Sequence, residues 1–273
     1  GLEIALDWNQ NISDNWRFEV GGNFATLDNE VTELNNGTGY FDSGTAEFRQ
    51  RSIIGNSIEA FFGYEVAGVY QTDSEVQNDP IAVDNNLVPG DFKYKDQNGD
   101  GVINDDDRVV LGSYLPTFTY GGHIEVGYKN FDLSVNVSGQ TGNSILNRKR
   151  GEVIFTNDTN VDADLAINRW HGEGTSNVYP SSAGLRKGWN QKLSTYFIED
   201  GAYVRIQNIQ LSYTVKSAQL LGKNMPETRF FFTADRPFTF FKYNGFDPEV
   251  ADGIDRQTYP VPSVYTVGVN IKI

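Results

Sequence analysis

Long segments in which apolar and polar residues alternate constrain the fold of this chain more than any other feature of its 273 residues. In the first segment the even positions from Leu2 to Trp8 are apolar, whereas the odd positions between them are Glu, Ala and Asp. The even positions from Trp16 to Phe24 repeat the pattern with aromatic residues, valine and glycine. A period of two is typical of β-strands, because successive side chains point to opposite faces of a sheet. The chain is therefore predicted to be all-β.

About nine segments carry this pattern, and the third is the weakest. They are residues 2–8, 16–27, 48–54, 58–71, 117–128, 131–140, 202–214, 228–234 and 263–273. Within 202–214 the apolar positions change parity between Ile206 and Ile209, which predicts a β-bulge near Asn208. Read in order, the segments predict antiparallel pairs followed by a closing strand.

The connections between these segments alternate between short and long. Short links are Lys129-Asn130, which is of the two-residue hairpin type, and residues 9–15, 55–57 and 216–227. Long polar links are residues 28–47, 72–116, 141–194 and 235–262. Outer-membrane β-barrels have short periplasmic turns and long external loops, whereas a soluble sandwich has no reason to sort its loops by length. The pattern favours a transmembrane barrel, although strict alternation makes one candidate strand surplus or one turn misassigned.

The composition limits the possible functions of the chain but does not determine its fold. The formal charge of −14 excludes a basic nucleic-acid footprint, and the absence of cysteine excludes disulfides and metal–thiolate sites. Hydrophobic residues make up only 38% of the chain while aromatic residues reach 13%, which suits a barrel with a polar lumen and an aromatic belt. A secreted β-sandwich has a similar composition. No apolar run approaches the roughly 18 residues of a transmembrane helix.

An acidic loop from Asp96 to Asp107 matches the spacing of calcium-binding loops. Oxygen donors fall at the first, third, fifth, seventh, ninth and twelfth positions: Asp96, Asn98, Asp100, the Val102 carbonyl, Asn104 and Asp107. Gly101 lies at the sixth position, where such loops turn sharply. The sequence therefore predicts a structural Ca²⁺ that fixes the shape of a long external loop. The alternative is a solvated Asx/Gly turn, and Asp107 is shorter than the usual glutamate.

No pattern predicts an enzyme. His123 falls on the lumen-facing parity of its strand beside Glu125, and His171 lies in a loop, so both are interpreted as polar contacts rather than bases. Neither a nucleophile elbow nor a triad pattern is present in the sequence.

Several aromatic residues fall in the long loops or beside them. These are Trp170, Trp189, Phe240, Phe241 and Tyr243. They either stack on sugar or peptide ligands or pack the loops against one another.

The last segment has the form of a barrel's closing strand. Apolar residues recur at every second position back from Ile273, with Asn270 and Lys272 on the opposite face. The closing strands of outer-membrane barrels more often end in Phe, so Ile273 is a departure, and a soluble domain that merely ends in a strand is the alternative. The barrel interpretation places the C-terminus in the periplasm.

Several runs of residues resemble one family and occur in that family's order. They are residues 89–103 (PGDFKYKDQNGDGVI), 116–121 (PTFTYG), 168–170 (NRW), 199–213 (EDGAYVRIQNIQLSY) and 242–250 (KYNGFDPEV). Together they resemble the SusC/RagA family of TonB-dependent outer-membrane transporters of Bacteroidetes.

The resemblance implies a barrel of about 22 strands, an N-terminal plug, a TonB box and a SusD-like surface lipoprotein as a lid. No plug and no TonB box are recognised here, so residues 1–273 are expected to be the C-terminal barrel part of a longer protein. The implied function is TonB-dependent import of oligosaccharides or peptides, with TonB acting through the missing N-terminal region. Implied partners are the SusD-like lipoprotein, outer-membrane lipid and a glycan or peptide ligand.

Two other functions stay open at this point. A SusC-like chain is also compatible with a structural subunit of a larger outer-membrane assembly. A secreted calcium-binding β-sandwich with an adhesion or glycan-binding role is the more distant alternative.

Overall fold

The computed structural model describes residues 1–35, 37–44, 49–148, 150, 163–182, 188–216, 218–220, 223–256 and 259–272. Its strands are β1 (Leu2–Ser13), β2 (Trp16–Thr26), β3 (Tyr40–Gly44), β4 (Arg49–Ile53), β5 (Ala60–Gly63), β6 (Val66–Val69), β7 (Phe92–Tyr94), β8 (Val109–Gly112), β9 (Phe118–Tyr128), β10 (Phe131–Thr141), β11 (Ser144–Asn147), β12 (Ile198–Asp200), β13 (Tyr203–Val215), β14 (Ala218–Leu220), β15 (Lys223–Met225), β16 (Glu227–Phe241), β17 (Ile254–Asp255) and β18 (Val264–Lys272). Its helices are α1 (Asp73–Asn78), α2 (Pro80–Asp84) and α3 (Ala163–Asn168), with 3₁₀ turns at Asp105–Asp107 and Thr195–Phe197. The described helices have at most six residues, far fewer than a bilayer-spanning helix needs.

The longest strands form one antiparallel sheet, here called the wall. Its order is β1-β2-β9-β10-β13-β16-β18, seven strands among the described residues. Each strand pairs with the next one along the chain that reaches the sheet, as in an up-and-down barrel wall. Because a one-residue slip would exchange the polar and apolar faces, the alternating sequence specifies this register. The predicted all-β antiparallel fold is confirmed.

A bulge in β13 lies at the predicted position. Asn136 of β10 pairs with Asn208, but Val137 pairs with Ile206, so Gln207 has no counterpart in that ladder. The ladder to β16 shifts at the same place. The extra residue accounts for the parity change between Ile206 and Ile209, because a bulge moves the following side chains to the other face.

The connections of the wall are sorted by length between its two ends. Short links at 14–15, 129–130 and 216–226 lie at one end, and long links at 27–117, 142–202 and 242–263 lie at the other. Tyr128 pairs with Phe131 around the 129–130 turn, which confirms the predicted hairpin. Since antiparallel strands reverse direction at every link, β18 ends on the short-turn side.

Two predicted wall strands were wrong. The described part of 48–54 forms β4, and 58–71 breaks into β5 and β6; these belong to small sheets ordered β3-β4-β5-β8 and β6-β7. The pieces have four or five residues, too few for a wall strand, and all four residues of β5 are buried. Apolar residues that recur with a period of two identify a β-strand, but they do not show which sheet the strand joins. Removing both candidates restores the strict alternation of short and long links.

The long links fold together into a second body, here called the cap, at the long-link end of the wall. Its core contains Phe61 and Phe92 from the first link, Leu146 and Phe197 from the second, and Ile254 from the third. β11 pairs with β12 within the second link and runs parallel to β17 of the third. The links predicted as polar loops therefore share one apolar core. Ile273, the predicted final residue of the terminal strand, lies outside the described residues.

We expect Phe92→Ala to destabilise the cap and leave the wall assembled. Phe92 is fully buried in the cap core, and deleting such a ring costs roughly 3–5 kcal/mol. Limited proteolysis of the full-length protein in detergent should then cleave the long links faster while the wall fragments stay protected. The matched control is Phe232→Ala on the exposed outward face of the wall. Equal cleavage of the long links in both variants would contradict a cap held by this core.

Candidate functional site

One face of the wall is polar across neighbouring strands. Residues in mutual register along one row are Asp7, Gly21, His123, Asn136, Asn208 and Asp235. Side chains in register on neighbouring strands project from the same face of a sheet. This face carries a groove of about 660 Å³, and it is called the inward face below.

The opposite, outward face is apolar and exposed. Near the short turns it carries a turn-side row in register: Trp16, Tyr128, Phe131, Tyr213 and Phe230. The centroids of the Trp16 and Tyr128 rings are 4.5 Å apart, as are those of the Phe131 and Tyr213 rings. Near the long links, Phe24, Tyr120 and Phe240 form a loop-side row.

The spacing of the two aromatic rows matches a membrane. Trp16 and Phe24 lie at the two rows on the same strand, β2. Their separation corresponds to about 26 Å along the strand at roughly 3.3 Å per residue, which is about 20 Å of height at a strand tilt of roughly 40°. Outer-membrane barrels have an apolar band about 25 Å tall between two aromatic girdles, so the two rows lie near the edges of such a band. A β-sandwich instead buries the apolar faces of its sheets against each other, so the exposed outward face excludes that alternative for the wall.

Both histidines make the polar contacts expected of them. His123 Nε2 lies 3.5 Å from Glu19 Oε1 and 3.8 Å from Asp7 Oδ1 on the inward face. Gly21 lies between Asp7 and His123 in the row, and a Cβ at residue 21 would overlap the side chains of both. His171 Nδ1 lies 3.0 Å from a backbone carbonyl two residues earlier. His123 therefore lies beside two carboxylates, and His171 lies beside a backbone carbonyl.

The inward groove mixes charges of both signs with amides. Its charged lining residues are Arg17, Glu19, Glu125, Asp132 and Arg229. Arg17 pairs with Asp132 across three strands of the wall. Such a surface can exchange hydrogen bonds with polar solutes or with a polar polypeptide.

Glu199 ties together two long links of the cap. Its carboxylate accepts hydrogen bonds from Arg150 Nε at 3.0 Å, Asn147 Nδ2 at 2.8 Å and the Asn244 backbone N–H at 2.7 Å. Burial alone would lower the pKa of Arg150, but the neighbouring charges of Glu199 and Asp164 contribute to raising it above its ordinary value. The cation is therefore held in its charged form inside the cap.

Arg205 ties the third link to the rim of the wall. This buried side chain of β13 donates to Asp247 Oδ1 at 2.7 Å and to Thr239 Oγ1 at 3.0 Å, and it also pairs with Glu249. Sequence analysis did not identify Arg205 or Glu199 as important. Their only sequence signal is that they and their partners Asp247, Glu249 and Asn244 lie in the family-like runs 199–213 and 242–250.

The loop aromatics divide between packing and exposure. Trp189 donates its indole N–H to a backbone carbonyl of β7 at 2.8 Å, and Trp170 donates to a side-chain amide at 3.2 Å. Tyr243 is buried and donates its hydroxyl to a buried carboxylate. Phe240 is on the outward face and Phe241 is half-buried beside it. For Trp170, Trp189 and Tyr243 the contacts therefore favour loop packing over ligand stacking.

The acidic loop is held by its own backbone. Asp96 accepts hydrogen bonds from the Gly99 and Gly101 N–H groups at 2.7 and 2.8 Å. Asp107 is fully buried and accepts from the Gln97 and Asn104 N–H groups, each at 2.8 Å. The hydrogen bond from Gly101 is the largest cause that lowers the pKa of Asp96 below its ordinary value of 3.8.

The remaining predicted calcium ligands make similar local bonds. Asn98 Nδ2 donates to Asp100 Oδ2 at 2.9 Å, and Asp100 Oδ1 accepts from the Val102 N–H at 2.8 Å. Asn104 Oδ1 accepts from the Asp106 N–H at 2.8 Å. In the part of the chain that the structure describes, no three acidic or histidine side chains are grouped to hold a metal ion. Calcium binding stays a prediction.

Comparison of the sequence with known proteins finds relatives over its whole length. It is 28% identical over 289 aligned residues to "TonB-dependent receptor P3" of Formosa agariphila, a match that covers 100% of this chain and 28% of the relative. It is 25% identical to "TonB-dependent receptor SusC" of Bacteroides thetaiotaomicron, covering 100% of this chain and 26% of the relative. The chain thus spans little more than a quarter of the length of these relatives. No protein-family model matches it.

Solved structures show the same fold. The RagAB peptide transporter superposes with a TM-score of 0.75 at 19% identity, covering 98% of this chain and 28% of that one. The RagAB peptide importer in its "closed-closed" state gives a TM-score of 0.72 at 20% identity, again covering 98% of this chain. The wall and cap therefore occur together in a known barrel protein.

Proposed function

We propose that this chain, which is similar over its whole length to TonB-dependent receptors including SusC, forms part of the wall and outer cap of an outer-membrane importer. The proposed cargo is an oligosaccharide or a peptide. The observation that carries the proposal is the two-faced wall, with an exposed apolar face between aromatic rows and a polar face that carries a groove. Lipid solvates the first face and the transport path is lined by the second.

The proposed importer binds and moves its cargo without covalent chemistry. Residues 1–273 are the C-terminal barrel part, and the plug and the segment that contacts TonB lie elsewhere in the longer protein. The cap faces outward, where a SusD-like surface lipoprotein would meet it, and the short turns face the periplasm. In this proposed orientation the C-terminus is periplasmic, and the end of β18 on the short-turn side supports it.

We expect charge on the two faces of one strand to have opposite consequences for membrane assembly. Ile209 projects outward midway between the two aromatic rows, whereas its neighbour Gln210 projects into the groove. An arginine facing lipid at mid-membrane costs roughly 2–4 kcal/mol. Ile209→Arg should deplete the folded, heat-modifiable form of the full-length protein from outer membranes. The matched variant Gln210→Arg should leave it, and equal depletion by both would refute the assignment of the faces.

Uptake by cells tests the cargo. Cells that express the full-length protein should accumulate labelled oligosaccharides or peptides, and should lose this uptake when TonB or the neighbouring lipoprotein is deleted or when an uncoupler is added. The readout is intracellular label per cell, with a gene-deletion strain and the same strain complemented with the unmodified gene as controls. If deletion of the gene disrupts an outer-membrane assembly while uptake of the labelled oligosaccharides and of the labelled peptides is unchanged, the chain is a structural subunit instead.

We also propose that Ca²⁺ binds the Asp96–Asp107 loop weakly and fixes its shape. Support comes from the oxygen donors, which suit calcium and have the spacing of a calcium loop, and from Gly101, whose φ of +81° makes the sharp turn at the sixth position. Asn98, Asp100, Asn104 and the Val102 carbonyl would complete the ligands.

Calcium at about 1 mM should slow proteolysis within residues 95–108 of the full-length protein, because extracellular calcium sites have dissociation constants of about this concentration. Asp96→Asn and Asp100→Asn should lose this response, because each removes a charged ligand. Asp84→Asn, an exposed carboxylate elsewhere in the cap, should keep it. If the loop is cleaved at the same rate in calcium and in a chelator, the loop does not bind calcium.

A further inference from the structure

The last two strands of the wall end at different levels on the long-link side. Asp235 of β16 pairs with Val264, the first residue of β18, and β16 then continues to Phe241 without β18 beside it. Phe238–Phe241 still pair with β13 on their other side. On the side of β18 they make no backbone hydrogen bond to any residue that the structure describes. This side of Phe238–Phe241 is called the free edge below.

The chain that leads into β18 does not cover the free edge. Residues 259–263 (YPVPS) are exposed, and two of them are prolines, which have no N–H to donate. The Ser263 hydroxyl donates to the Arg236 carbonyl at 2.8 Å, which lies next to the free edge and not on it. Alternate residues of an antiparallel strand direct their N–H and C=O groups to the same side. The free edge therefore presents peptide groups that a further strand can pair with.

The free edge is held in place by its neighbours. The Thr239 hydroxyl accepts a hydrogen bond from Arg205 Nε at 3.0 Å, and the same guanidinium donates to Asp247 Oδ1 at 2.7 Å. Phe238 and Phe240 stack on the outward face, with ring centroids 6.5 Å apart. A strand that is already fixed in the extended conformation loses little entropy when another strand pairs with it.

An added strand would meet different surroundings on its two faces. Phe238 and Phe240 project outward and are 55% and 61% exposed, so they can pack against apolar side chains of the added strand. Thr239 projects to the opposite face, where the added strand would place polar side chains. A short extended peptide with alternating apolar and polar residues matches these surroundings.

The position of the free edge indicates where such a peptide comes from. The edge lies where the outward face, which meets lipid in the proposed function, borders the cap. A surface lipoprotein is anchored by acyl chains at its N-terminus, and in the proposed function its folded part rests on the cap. The peptide between these two parts, here called the tether, has to cross this border. The outer edges of β1 and β18 are not available to it, because in the proposed barrel the missing strands continue the wall from them.

We propose that the tether of the partner lipoprotein adds to the free edge of β16 as a short strand. Its backbone hydrogen bonds are made to Phe238–Phe241, and the rings of Phe238 and Phe240 select apolar tether residues at alternate positions. The inference rests on the proposed function, because it requires both the partner lipoprotein and lipid on the outward face.

Site-specific crosslinking tests the contact. The photoreactive amino acid p-benzoylphenylalanine replaces Phe240 in the full-length protein, which is expressed with its lipoprotein, irradiated in cells and purified for peptide mapping by mass spectrometry. We expect crosslinks to the residues that directly follow the acylated N-terminus of the lipoprotein. The matched control places the same group at Phe232, which lies on the outward face of the same strand but pairs with β18. It should give no crosslink to the lipoprotein.

Hydrogen exchange gives a second readout that leaves every side chain unchanged. The intact lipoprotein should slow exchange of the edge-facing amides within Phe238–Phe241 by about 2- to 12-fold, which corresponds to one added hydrogen bond. A lipoprotein that keeps its acylated N-terminus but carries a glycine–serine tether of equal length should have a smaller effect, since it lacks the apolar residues that pack on Phe238 and Phe240.

Three results would overturn the inference. They are crosslinks from position 240 only to the folded part of the lipoprotein, crosslinks only to another part of the same protein, and equal exchange with both forms of the lipoprotein. Failure of the lipoprotein to co-purify with the full-length protein would contradict the partnership in the proposed function as well. Co-purification without a crosslink to the tether contradicts this inference alone.

Discussion

Register between neighbouring strands is the constraint on which the rest of this structure depends. A sheet has only two faces, and each wall strand assigns its residues to them by parity. Because seven strands keep a common register, the assignment is the same for Trp16 on β2 and Phe230 on β16. The result is one surface suited to hydrocarbon and one suited to water. The exposed apolar face and the polar groove both follow from that sorting.

The bulge at Gln207 shows how strictly the sorting is maintained. β13 and β16 continue past the bulge to the rim, where β13 contributes Arg205. If Gln207 were paired regularly with Val137 instead of being bulged out, Arg205 would lie opposite Gly139 and point toward lipid, where a charge is costly. With the bulge, the guanidinium reaches Asp247 and Glu249 of the third link. One inserted residue therefore allows an apolar stretch and a buried ion-pair cluster to share one strand.

Patterns local in sequence predicted the wall, and contacts distant in sequence determined the cap. The alternation in 16–27 and the parity change near Asn208 are visible within a dozen residues, and both predictions were correct. The cap core joins Phe61 to Ile254, and no local pattern states that such distant residues meet. For the same reason 58–71 was assigned to the wall, because its alternation is that of a strand in any sheet. The hydrogen bonds and ion pairs of Glu199 and Arg205 were not predicted, because in the sequence each of these residues looks like an ordinary surface charge.

The pairing of β11 with both β12 and β17 has a mechanical consequence. It fastens the second and third links to each other through backbone hydrogen bonds, while their ends remain covalently continuous with the wall. Loops joined in this way lose independent freedom of motion, and a displacement of one is transmitted to the other. The described parts of the second and third links that meet at these pairs are therefore expected to shift together rather than separately.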